Sequence, residues 1–348
     1  MTIHIDGRIG EGGGQVLRTS LSLSAITGKA FVIEHIRGKR KKPGLKRQHL
    51  VSVEAAASIC GADCKGDSLN SQRLVFNPSK IRAGNYSFDI GSAGSCCLVL
   101  QTVLPILFYA DSSSTVTIQG GTHNPMAPTA DFLAKSFLPA IHRFGFNASL
   151  NLMSYGFYPA GGGKIKAEIR PAGDLPKKVE LIERGPLLKK RARILLSKLP
   201  QHIAEREKKI LLKQGWFETD EVEIVNITNS PGPGNAVIII LEYENVTCVF
   251  QSIGEKGKRA EKVSAEAYNA AAYHHKSMVP VENFLTDQLL IYLALVSNGT
   301  FLTSKVSLHS HTNMKIIEKF LPVKFVVKEI ASGQKLNCTG KIFRSVHS

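Results

Sequence analysis

A chain of 348 residues that is 43% hydrophobic and 21% charged can bury a large core, which excludes a disordered chain and fits one large or two moderate globular domains. Lys and Arg outnumber Asp and Glu by 44 to 28, a formal net charge of +16, and this excess favours a polyanionic partner such as nucleic acid. The six cysteines (Cys60, Cys64, Cys96, Cys97, Cys248, Cys338) show no paired C-x2-C spacing, so zinc-ribbon and thioredoxin-type readings lack support and reduced, packed thiols are expected. The N-terminus lacks the basic and apolar regions of a secretory signal. The longest apolar run, Cys96 to Ala110, is broken by Gln101, Thr102 and Pro105 and is too short to span a bilayer, so a cytoplasmic protein with no membrane partner is expected.

In chain order, Ile3 and Ile5 begin a short strand, Gly7 to Gly14 form a Gly-rich turn, and Gln15 to Ile26 read as a buried helix closed by Gly28. A strand from Phe31 to Ile36 leads into the basic loop Arg37 to Gly44, then a helix from about Leu45 to Ile59. Strands around Gln72 to Phe76 and Tyr86 to Ile90 complete this unit. A second unit opens on the small-residue turn Gly91 to Ser95. It continues as a helix (Cys97 to Ala110), a strand (Ser114 to Gln119), a helix (Thr129 to Phe144), and strands Ala148 to Met153 and Lys164 to Ile169.

A third copy reads as a helix (Phe284 to Ala294), a strand (Thr300 to Lys305), a loop around His309, a helix (Asn313 to Leu321), and strands Phe325 to Ile330 and Lys335 to Cys338. Three copies of one module predict a pseudo-threefold α/β domain with sheets outside and helices within. Between copies two and three, roughly Arg184 to His275, the texture changes: a basic strand (Lys189 to Ser197), a charged helix (Gln201 to Gln214), three strands, and a helix from Glu261 to His275. This predicts a small inserted α/β domain at 184–275, with 1–183 carrying repeats one and two and 276–348 repeat three. The basic strand either guides nucleic acid or is a solvated edge of the kind Lys and Arg protect.

The stretch Ser307-Leu308-His309-Ser310-His311-Thr312-Asn313 carries two imidazoles beside small polar residues at a helix start, where backbone N–H groups suit anions. A nucleophile for phosphate chemistry and half of a metal site are both open readings of that pair. The string Gly10-Glu11-Gly12-Gly13-Gly14-Gln15 is not a dinucleotide fingerprint, since Gln15 stands where G-x-G-x-x-G needs glycine, and no P-loop Gly-Lys-Ser/Thr occurs.

Gly10 to Arg18, Lys42-Pro43-Gly44-Leu45-Lys46-Arg47-Gln48-His49, Gly91 to Cys96 and Tyr158-Pro159-Ala160-Gly161-Gly162-Gly163 together resemble the RNA 3'-terminal phosphate cyclases. The likeness runs nearly the length of the chain, through Asp287-Gln288 and the His309 loop. It implies three β-α-β-α-β-β modules like the C-terminal domain of translation initiation factor 3, with a small inserted domain.

The resemblance further implies ATP-dependent conversion of RNA 3'-phosphate ends to 2',3'-cyclic phosphates through a covalent histidine-AMP and an RNA-adenylate, and it is compatible with a homodimer. It makes His309 the nucleophile and leaves His311 as a loop residue. Glu11 among the glycines becomes the ligand of Mg2+ (or Mn2+). ATP is expected between Pro128 and Phe284, near Gln101, Asp287 and Gln288. Position 284, often Tyr in the family, is Phe here and keeps a stacking face without a hydroxyl. Arg18, Arg37, Arg40, Arg47 and Gln48 are the expected ligands of the RNA 3'-phosphate, arginine for its bidentate fork. Two other classes stay open: a cyclase-like ribosome-assembly protein, whose known members lack the nucleophilic His, and an enolpyruvyl transferase of related architecture.

Overall fold

The computed structural model describes residues 2–341. The first module is β1 (Ile3–Asp6), α1 (Gly14–Thr27), β2 (Phe31–Glu34), α2 (Arg47–Cys60), β3 (Asp63–Lys65) and β4 (Leu74–Asn77). The second is β5 (Asn85–Asp89), α3 (Cys96–Leu107), β6 (Ser114–Gly120), a helix built of α4 (Ala130–Phe132), a π-helical turn (Leu133–Phe137) and α5 (Leu138–His142), then β7 (Ala148–Ser154) and β8 (Gly163–Ile169). The third opens with β9 (Val179–Leu181). The chain then makes an excursion through β10 (Leu187–Ser197), α6 (Gln201–Lys213), β11 (Val222–Asn226), β12 (Gly234–Tyr243), β13 (Thr247–Ile253) and α7 (Ala260–Ser277). It returns to finish the module with α8 (Asn283–Val296), β14 (Asn298–Thr303), α9 (Leu308–Phe320), β15 (Val323–Ile330) and β16 (Gly333–Gly340).

The three modules share one sheet topology: β1-β2-β4-β3, β5-β6-β8-β7 and β9-β14-β16-β15. In each the first strand pairs parallel with the second, and the remaining pairs are antiparallel. Strands such as β6 alternate buried and half-buried residues, as a sheet with one face on the core and one towards solvent must. The helices α1, α3 and α8 lie inside and are buried on nearly every face. Polar residues on α1 are accommodated because Ser20 and Thr27 donate back to the carbonyls four residues earlier.

Two strands were assigned differently by sequence. The strand at Tyr86–Ile90 does not close the first module: it is β5, hydrogen-bonded to β6 in the second sheet, and the short β3, unrecognised, takes the edge of the first. Similarly β9, three residues among lysines, supplies the first strand of module three ahead of the excursion. The helix α9 starts earlier than Asn313, with Ser307 as its N-cap accepting from Ser310 N. His309 therefore sits in the first helical turn, not in a loop.

The excursion forms its own sheet, β11-β10-β12-β13, with α6 and α7 packed on it. β12 is almost continuously apolar because both its faces are covered: Val237, Ile239 and Leu241 face the unit's own core, while Ala236, Ile238 and Ile240 join the large one. Where the chain leaves β9 and where α7 ends, one buried side chain ties the two together. Arg184 donates to the carbonyls of His274 (3.3 Å) and His275 (2.8 Å) and lies 4.4 Å over the Tyr243 ring. Among the described residues, no helix is long and apolar enough to cross a membrane.

Candidate active site

The Gly-rich turn between β1 and α1 lies against the first turns of α9. Gly10 has φ +58, and a Cβ there would overlap the Thr312 hydroxyl and come within 2.8 Å of the Thr312 Cβ, so only glycine lets the turn approach this closely. That approach delivers Glu11 to His309, with Oε2 2.9 Å from Nε2. Lys39 of the basic loop donates to Gly10 O at 2.6 Å and Arg40 lies 3.4 Å from Glu11, so the loop folds over the turn.

Asp287, at the start of the second turn of α8, joins modules one and three. Gln15 on α1 donates to its carboxylate at 2.5 Å, and Asn313 on α9 donates to its backbone O (3.1 Å) and Oδ1 (3.3 Å) while accepting from Thr19 at 2.7 Å. Asp287 Oδ2 is 3.5 Å from His309 Nδ1. That distance is too long for a well-formed hydrogen bond, so Nδ1 is buried without one, though the carboxylate still acts on it through its charge. Asp287, and after it Glu11, hold the His309 pKa above its ordinary value against burial and the charge of Arg18. The imidazole remains 35% exposed, enough to be reached from solution.

His311 is exposed. Two residues of a helix differ by about 200° around its axis, so the two imidazoles point to different sides, and the geometry does not pair them as metal ligands. Among the described residues no group of three or more His, Cys, Asp or Glu could hold a metal ion, so a cation here would rest on few protein groups and on substrate oxygens.

The arginines divide. Arg18 extends from α1 towards the Gly14 turn, where burial pulls its pKa down to about 10 despite Asp287, and its guanidinium makes no hydrogen bond within the described residues. Arg40 and Arg47 are exposed, Arg47 beside the Gly91 turn. Arg37 is spent on its own loop: φ is +55 and the guanidinium donates to Lys42 O (2.8 Å) and Gly44 O (2.9 Å). Gln48 accepts from Ser95 N at 2.9 Å, tying α2 to the start of α3. His49, unassigned by sequence, is pushed down to about 3 by burial, then by Arg18, Arg37 and Lys46, and so stays neutral beside Gly14.

The second module brings Gln101 to the same region, where its amide donates to Gln288. Phe284 lies one turn before Gln288 on α8 and is 76% exposed. Glu282, buried with its pKa raised to about 7 by burial, caps α8 by accepting from Phe284 N (2.7 Å) and from Leu285 N. Pro128 lies in the loop between β6 and α4, whose tip residue Met126 is 95% exposed. Gln15 and Asn313 orient the His309 site, yet their amides gave no sequence signal. Their partner Asp287 is distant along the chain from Gln15, and glutamines and asparagines are common on helices.

Residues 9–327 match the model of a family described as RNA 3'-terminal phosphate cyclase. The RNA 3'-terminal phosphate cyclase of Koribacter versatilis (strain Ellin345) is 48% identical over 327 residues, 94% of this chain and 92% of the relative. The proteins of that name from Salmonella enteritidis PT4 (strain P125109) and Salmonella typhimurium (strain LT2) are each 46% identical over 331 residues, 95% of this chain and 97% of theirs.

Proposed function

This chain belongs to the RNA 3'-terminal phosphate cyclase family, an ATP-dependent enzyme class, and from that premise we propose that it cyclises RNA 3'-phosphate ends in the cytoplasm with His309 as a covalent nucleophile. The observation that carries the reading is the His309 imidazole set between Glu11 and Asp287 at the meeting of modules one and three. Nε2 faces the Glu11 carboxylate at 2.9 Å, so attack requires Glu11 to turn away from it; the charge of Asp287, fixed by Gln15 and Asn313, then favours the proton on Nδ1 and leaves the Nε2 lone pair for attack. Nε2 attacks the α-phosphorus of ATP: an N–P bond forms, the P–O bond to pyrophosphate breaks, and pyrophosphate leaves. An oxygen of the RNA 3'-phosphate then takes the adenylate, breaking the N–P bond and restoring the imidazole. The vicinal 2'-hydroxyl closes on that phosphorus, losing its proton, and AMP departs.

The residues fit these substrates. A guanidinium without a hydrogen bond (Arg18), an exposed aromatic face (Phe284) and a half-exposed carboxylate on a glycine turn (Glu11) are what a polyphosphate, a base and a hard cation would use. Glu11 would hold Mg2+ (or Mn2+), which would neutralise phosphate charge as the substrate approaches. Pro128, Phe284, Asp287, Gln288 and Gln101 form the ATP side in this reading. Arg40, Arg47 and Gln48 form the RNA side, with Arg18 between them and Arg37 shaping the loop that carries them. The same reading divides the chain into 1–183, 184–275 and 276–348, with β9 at the end of the first span belonging to the third module and not to the second.

Incubation with ATP labelled at the α-phosphate and Mg2+, followed by denaturation, tests this. Label should stay on the protein, be lost in acid and kept in base, vanish in His309→Ala and persist in His311→Ala. Labelling of His309→Ala at the wild-type level refutes it.

A further inference from the structure

The loop between β6 and α4 is held in two different ways along its length. At its base the large domain ties it: Gly121 N donates to Gly94 O (2.7 Å), Thr122 N and His123 N donate to Gly156 O, and Ala130 N donates to Thr122 O (3.0 Å). Towards the tip the ties come from elsewhere. Gln251, on the edge strand β13 of the inserted unit, donates from Nε2 to Ala127 O at 2.8 Å. Its Oε1 accepts from Thr129 N at 3.1 Å and from Thr129 Oγ1 at 2.5 Å.

These three bonds flank Pro128 on both sides, and Pro128 has no N–H of its own to add. The amide is used without conflict: two donors are received at the oxygen, and the NH2 is spent on a carbonyl. Thr129 Oγ1, having donated to Gln251, accepts from Phe132 N at 3.2 Å and so starts α4. Two residues further on, Asp131 accepts from Arg193 of β10 at 2.8 Å, a second grip of the inserted sheet on this segment.

We propose that Gln251 is a positioning residue of the nucleotide pocket, and that the inserted unit braces one wall of that pocket. This rests on the reading of Pro128 and Phe284 as the two walls of the adenine slot. A stacking wall contributes only if it is held in place before the base arrives; a loose one must be ordered at the expense of affinity. Gln251 does this from outside the large domain, touching neither His309 nor any residue on the RNA side.

The test measures protein adenylylation against ATP concentration for wild type, Gln251→Ala, Gln251→Met and Gln251→Glu, with Phe284→Ala as reference. Gln251→Ala and the near-isosteric Gln251→Met should raise the ATP concentration for half-maximal rate about tenfold, the loss expected for a small set of neutral hydrogen bonds. Their maximal rate should be unchanged, as should AMP transfer to an RNA 3'-phosphate from enzyme adenylylated in advance. Gln251→Glu keeps the acceptor for Thr129 but sets a carboxylate oxygen against Ala127 O, where two acceptors repel, and should be at least as impaired as Gln251→Met. If Phe284→Ala weakens ATP and the Gln251 variants do not, the brace is refuted while the slot stands. If Phe284→Ala leaves ATP dependence unchanged, the slot reading fails and the brace fails with it. A Gln251 variant that lowers both steps in proportion, or only the maximal rate, is a structural residue and also refutes the proposal. Should Gln251→Ala not fold, Gln251→Met and Gln251→Glu carry the same comparison.

Discussion

Replacing Gly10 with alanine should separate the fold from the chemistry. Residue 10 has φ +58, so a Cβ costs about 1–2 kcal/mol for the left-handed backbone alone. Its Cβ would also meet the buried Thr312, 2.8 Å from the Thr312 Cβ where about 3.5–4.0 Å is ordinary. Thr312 cannot easily retreat: it is 3% exposed, and its hydroxyl donates to Leu308 O at 2.7 Å. The half-buried turn, which holds no regular backbone ladder, yields instead, by about 1 Å, and takes Glu11 with it away from His309; a misplacement of that size costs on the order of 100-fold in rate.

The assay is single-turnover adenylylation of Gly10→Ala, Thr312→Ala and the double variant. Thr312→Ala alone should stay near wild type. The double variant, relieved of the hydroxyl overlap but not of the 2.8 Å contact with the remaining Cβ of residue 312 or of the backbone cost, should recover only part of the loss, up to about tenfold over Gly10→Ala. The reasoning fails if Gly10→Ala adenylylates within about threefold of wild type, or if removing Thr312 restores nothing.

The raised pKa of His309 predicts that adenylylation at low ATP increases with pH through a value above 6.5, because only the neutral imidazole attacks. Asp287→Asn, which removes the largest cause, should move that acid limb to lower pH; an unmoved limb in a folded variant would detach Asp287 from the ring. The stability due to the same shift has the opposite sense. It is complete below about 6.5, where His309 is protonated folded or unfolded, and is lost as pH rises through the folded value, which urea unfolding at several pH values would follow. For the arginines, Arg47→Ala should keep adenylylation and lose cyclisation, whereas Arg40→Ala, also on the RNA side but beside Glu11, should lose cyclisation and lower adenylylation to a lesser degree. Arg37→Ala should lower cyclisation through a disordered 37–44 loop, visible as faster amide exchange there, and lysine should not rescue it because both carbonyls are held by one guanidinium fork.

The module count and element order were legible because helices such as α3 and α8 are apolar all round and strands such as β6 alternate, signals each segment carries by itself. Strand ownership was not. Tyr86 to Ile90 follows β4 in sequence but pairs with β6, and pairing is decided by partners a local pattern cannot name. His309 was placed before its helix because Ser307, Ser310 and Thr312 all look like caps, and only the bond from Ser310 N to Ser307 shows which one starts it. Arg37 looked like its neighbours because a charge run does not reveal which guanidinium turns inward. Gln251 lies in an ordinary strand, and its meaning rests on Ala127 and Thr129, more than a hundred residues earlier.

The clasp made by Arg184 bears on the order in which the third module can be assembled. Its first strand must wait for β14, since Val179 pairs with Gly299, and bringing such ends together from an open chain carries an entropic cost that grows with the logarithm of the intervening length. Once the carbonyls of His274 and His275 are held by Arg184, the span between them no longer counts as free chain. The effective loop shrinks roughly fourfold, and about 1 kcal/mol of the closure cost disappears. An excursion folded before β14 meets β9 gathers the two ends of the interruption, and the last module then closes over the shorter loop.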